Sequence, residues 1–94
     1  MTDPESPDER IDAQAVVLTC ISLLASKAWE AMGLTSDPVT KQIERHLDEA
    51  QLAINAAAAL VDLIRSKLQD AERRELETLL TNLRLNYVEQ RAKG

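Results

Sequence analysis

The chain has 94 residues, 45% of them hydrophobic, a net charge of −5 and only two aromatic side chains, Trp29 and Tyr87. That is one small domain whose core must be built from Ala, Leu, Ile and Val, and its excess of acid disfavours nucleic acid, whose phosphates are held by Lys and Arg. A lone cysteine, Cys20, excludes an intrachain disulfide, and no apolar stretch approaches the roughly 20 residues that cross a bilayer.

Residues 1–6 read as a disordered acidic tail ahead of a single helical domain over 7–94. The first ten residues are acidic and proline-bearing where a signal peptide is basic and then apolar, so a cytoplasmic protein is expected. Ser6, Pro7 and Glu9 supply an N-cap, a proline at the first helical position and a carboxylate at the third, which places a first helix at about 7–32. Asp12 is a later N-cap candidate. Val17, Ile21, Leu24, Ala28 and Met32 form one apolar stripe of this helix, and Val16, Cys20 and Leu23 form another. Within that apolar run Cys20 reads as a buried, inert thiol, because a reactive one needs exposure and a cationic neighbour. Gly33 ends the helix, and Pro38 forbids its continuation, so the next helix folds back with Trp29 packed at the corner.

The run 41–93 contains neither glycine nor proline. Its first part predicts a helix over about 40–66. Ile43, Leu47, Ala50, Ile54, Ala57, Val61, Ile64 and Leu68 alternate steps of four and three, the spacing that keeps one seam against a partner. A second row, Leu52, Ala56, Ala59, Leu60 and Leu63, lies on another face and needs a second partner. Exposed leucines forgo about 1.5–3 kcal/mol each. The small residues at 56–59 invite a neighbouring helix to approach closely.

A third helix is expected at about 70–91, carrying Leu76, Leu79, Leu80, Leu83, Tyr87 and Val88. Only Leu68 and Ala71 are apolar between 67 and 75, a charged gap that argues for a turn over one continuous helix. Ser66 with Gln69 offers a capping box there and Asp70 an N-cap. Arg84 and Tyr87 lie three residues apart on one helix face, as a bundle-edge anchor or a polar groove. Arg84, Arg91 and Lys93 complement the dipole at the helix end and require no phosphate.

No chemical signature emerges. His46 is the only histidine and stands in the wrong order for a di-iron bundle, so it reads as a solvated helix residue. Asp48, Glu49, Asp62, Glu72, Glu75 and Glu77 fall among Lys and Arg at helical spacing, as in Glu77 with Arg73 and Arg74, which is the pattern of solvent-facing charge pairs. With Gly33 and Gly94 as the only glycines, phosphate-loop and dinucleotide fingerprints are absent. No catalytic, cofactor-binding or metal residue is assigned.

Several stretches together resemble a family of short bacterial proteins known only as a domain of unknown function. They are the ending Leu79-Leu80-x-x-Leu83-Arg84-x-x-Tyr87-Val88; Leu24-Ala25-x-x-Ala28 followed by Met32-Gly33 and the Pro38 turn; and Ala50-x-x-x-Ile54 with Leu60. The resemblance spans about residues 15–90 and implies a small helical cytoplasmic protein, with no activity or cofactor. Where the family has a Lys-Thr pair and a Gly-Asn-Leu turn, this chain has Leu63-Ile64-Arg65-Ser66-Lys67-Leu68, which implies a longer second helix or a weaker hairpin. The family's threonine capping box corresponds to Gln69 and Glu72, and its Ile-Asp pair to Ile54-Asn55.

The expected architecture is an all-α, antiparallel three-helix unit assembled into a homo-oligomeric bundle. Val16, Cys20, Leu23, Leu52, Ala56, Leu60 and Leu63 are the interface candidates, and Arg84 and Tyr87 the candidate groove. The expected role is a scaffold or adaptor, with no nucleic-acid or membrane partner. The alternatives are an accessory subunit docked on a different protein, and a small enzyme or ligand- or metal-binding bundle with its pocket near Trp29, His46 and Tyr87.

Overall fold

The structure, a computed structural model, describes residues 12–34 and 45–93. It contains α1 (Ala13–Ala31), α2 (Leu47–Ile64) and α3 (Asp70–Ala92), with a 3-10 turn over Arg65–Lys67 between the last two. The fold is all-α, as the apolar spacing predicts.

Asp12 starts α1. Its backbone is extended (φ −88°, ψ 174°), and its carboxylate accepts the Ala15 N–H at 2.8 Å, satisfying one of the donors that a helix start leaves open. Asp12 is thus the N-cap of α1, which begins at Ala13. Ser6, Pro7, Glu9 and the acidic tail lie outside the described residues. At the other end Gly33 takes φ 79°, the left-handed conformation that costs glycine nothing. There the Gly33 N–H donates to the Glu30 carbonyl at 2.9 Å and the Leu34 N–H to the Trp29 carbonyl at 3.0 Å, the double closure of a Schellman motif.

The second helix starts later than expected, at Leu47. Arg45 forms an isolated antiparallel bridge with Met32, and the His46 N–H donates to the Ala31 carbonyl at 2.7 Å. Those two residues thus direct their backbone to the end of α1, and His46 becomes the N-cap of α2 instead of a residue within the helix. Ile43 and the turn at Pro38 lie outside the described residues. The bridge joins the end of α1 to the start of α2, while Asp12, Gln14 and Val17 share a cleft with Ile64 and Lys67 at the opposite ends. The two helices are antiparallel.

Their interface is the core. Ala50, Ile54, Ala57, Val61, Ile64 and Leu68 of the seam are all buried, with Leu47 packed against them. From α1 come Ile21, Ala25, Ala28, Ala31 and Met32, with Val17 and Leu24 at the margin. Ala28, Ala50 and Ala57 are each 0% exposed, so alanine methyl groups sit where the helices lie closest and larger side chains interlock beside them.

The turn after α2 is made without glycine. Ile64, Arg65, Leu68 and Gln69 all keep negative φ; the Leu68 N–H closes onto the Arg65 carbonyl at 3.3 Å, and Leu68, in extended backbone, drops its side chain into the core. The N-cap of α3 is Gln69, where Ser66 or Asp70 was expected to cap. The Gln69 N–H donates to the Glu72 carboxylate at 3.2 Å. The second helix is not lengthened by the missing glycine, because a 3-10 turn anchored by a buried leucine reverses the chain instead. Leu80 and Leu83 are buried, and Leu76, Leu79 and Tyr87 pack at the core margin, so α3 rests chiefly on α2 and touches α1 little. Val88, expected on the packing stripe, is 63% exposed.

Candidate functional site

Two surfaces stand out. The first is the outer face of the α1–α2 hairpin. At about 100° per residue, Leu52, Ala56, Ala59 and Leu63 fall within about 60° of one another on α2, and Val16, Cys20 and Leu23 do the same on α1. Leu52 and Leu63 are each 71% exposed, Leu23 is 65% and Val16 49%. Cys20, Ala56 and Leu60 are half-buried, and Leu60 packs against the core, so it belongs in part to the hairpin itself. The thiol of Cys20 is therefore less enclosed than expected. On α2, Gln51, Ile54 and Asn55 meet α3 on a different flank from this row.

The second surface is a groove between α2 and α3, about 270 Å³, lined by Gln51, Ile54, Asn55, Arg84, Tyr87 and Val88. Arg84, Tyr87 and Val88 stand at i, i+3 and i+4 on one face of α3, and Gln51 and Asn55 stand one turn apart on α2. Buried Ile54 forms the floor, Tyr87 is half-buried, and Arg84 is exposed. Of the three residues expected to share a pocket, this groove's lining includes Tyr87 and neither Trp29 nor His46. The pairing of Gln51 with Asn55 escaped the sequence reading. Its only signal is two amides at helical spacing flanking a core isoleucine.

The charged side chains build structure. Arg65 bridges the turn, donating to Asp62 in its own turn of helix and to Glu77 on α3. These bonds, Asp62 first and then Glu77, hold its guanidinium charged beyond even the ordinary arginine range. Glu77 thus pairs with Arg65, where Arg73 and Arg74 were the expected partners. Arg73 pairs instead with Asp70 at 3.2 Å and donates to the Leu68 carbonyl at 3.2 Å. Arg45 donates to the Gln90 carbonyl in the last turn of α3, where open carbonyls favour a cation. Among the described residues no group of three or more His, Cys, Asp or Glu side chains is placed to hold a metal ion. No described helix is long and apolar enough to cross a membrane.

A family profile described as "Domain of unknown function (DUF1844)" matches residues 14–89. The chain belongs to that family. The matched span runs from the first turn of α1 to the last turns of α3, so the DUF1844 unit comprises all three helices and both surfaces described above. No curated protein and no solved structure matches the chain. Family membership therefore accounts for a small all-helical protein and supplies no activity.

Proposed function

We propose that this DUF1844 protein is a homo-oligomeric interaction module, a scaffold or adaptor, in which the outer face of the α1–α2 hairpin pairs with a second copy. The observation that supports this reading is the placement of Leu52, Leu63, Leu23 and Val16, half to three-quarters exposed, on one pair of adjacent helices. Isolated surface leucines need no explanation, but an apolar row on each of two neighbouring helices is a patch of the kind that marks protein contacts. Each such side chain contributes about 1.5–3 kcal/mol when fully covered. A two-fold pair uses the same patch twice, which brings the gross gain into the range of the roughly 4–15 kcal/mol that association costs.

Light scattering across a concentration series tests this directly. A dimer or higher oligomer at micromolar concentration is expected, and a monomer throughout would overturn it. The double substitution Leu52→Lys with Leu63→Lys is expected to shift the oligomer to monomer while leaving the helical content unchanged, since both side chains point away from the core.

A further inference from the structure

We infer that the α2–α3 groove is a binding site for a small carboxylate carrying a branched or aromatic apolar body. The inference is independent of self-association, which uses a different face.

The argument begins with charge. The chain carries a net −5, yet the one charged side chain lining the groove is a cation, Arg84, with the phenol of Tyr87 one turn on. Arg84, like the exposed Arg91 beyond the groove, makes no hydrogen bond or ion pair with any described residue, whereas Arg45, Arg65, Arg73 and Arg74 all do. Neither Gln51, Asn55 nor Tyr87 has a side-chain partner among the described residues. Four polar side chains from two helices thus line one groove with no protein partner for their polar groups among the described residues; the Tyr87 ring packs at the core margin, while Gln51, Asn55 and Arg84 are exposed.

Chemistry narrows the ligand. One planar guanidinium matches one planar carboxylate through two parallel N–H···O bonds. A phosphate dianion would call for further cations, and the groove has neither a lysine nor a helix N-terminus. The amides of Gln51 and Asn55 and the Tyr87 hydroxyl supply additional donors. Ile54, Val88 and the Tyr87 ring form the apolar wall on which the body of the ligand lies. At about 270 Å³ the groove stands near the lower end of small-ligand sites and is too small for a folded partner.

The test is an NMR titration of the full-length protein with sodium 3-phenylpropanoate and sodium 4-methylpentanoate, and with 3-phenylpropanamide as the uncharged control. Saturable amide shifts confined to residues 51–55 and 84–88 are expected, with the carboxylates binding at least about tenfold more tightly than the amide. Arg84→Gln should weaken carboxylate binding by about tenfold or more without changing the thermal midpoint, because Arg84 is exposed and supports no fold contact. Arg84→Lys, which keeps the charge but loses the planar fork, should fall between. Equal binding of acid and amide, an unaffected Arg84→Gln, shifts centred elsewhere, or no saturation up to about 20 mM of either acid would overturn the proposal.

Discussion

Three alanines, Ala28, Ala50 and Ala57, hold positions of zero exposure in the α1–α2 interface, and the fold depends on their smallness as much as on the size of Ile21 or Val61. Replacing Ala57 with leucine adds three carbon atoms where none fit and is expected to lower stability by about 1–3 kcal/mol, read as a lower urea midpoint. These residues were legible as members of the seam, because steps of three and four place them on its face. Which residues make hydrogen bonds outside the seam was not legible in the same way. Arg45, two residues before Leu47, would continue a helix by periodicity alone; instead its backbone pairs with Met32 and its guanidinium reaches Gln90. Gln90, 8% exposed, carries a polar label that hides its burial. Arg84 and Tyr87 could be singled out from their spacing, but the amides that face them belong to another helix, and a pairing across helices is invisible to a periodicity along one.

At the scale of elements, the helix ends carried the main departures from expectation, and for one reason. A helix stops where an alternative set of partners satisfies its open backbone groups, and those partners are contributed by other segments. Asp12 provides its own, and so a helix start is found there. Arg45 and His46 take theirs from the end of α1. The turn before α3 relies on Leu68, whose burial replaces the conformational freedom of a glycine. Leu68→Ala is expected to cost about 2–5 kcal/mol and to loosen α3 on α2, visible as faster hydrogen exchange throughout α3 with smaller changes in α1. Arg45→Ala removes the cation from the last turn of α3 and is expected to destabilise the protein by about 1 kcal/mol, with faster exchange confined to residues 88–92. The break between α2 and α3 could be anticipated from the charged stretch 67–75, while its 3-10 geometry depends on where Leu68 finds a cavity.

For the whole molecule, one number of helices and two kinds of surface follow from the same composition. A chain with 45% hydrophobic residues but almost no large aromatic ones fills its interior with small side chains, and at 94 residues the remaining leucines have nowhere inside to go. If two copies share those leucines, the thermal midpoint should rise with protein concentration, by linkage between association and folding, and the Leu52→Lys and Leu63→Lys protein should lose that dependence. The paucity of aromatic residues also has an optical consequence. The chain's single tryptophan lies at the corner where α1 ends, and its single tyrosine lies in the groove between α2 and α3. Each junction therefore carries its own intrinsic chromophore: indole emission follows the opening of the hairpin, tyrosine absorbance follows the seating of the last helix, and the order in which the two junctions come apart is readable in the unlabelled protein.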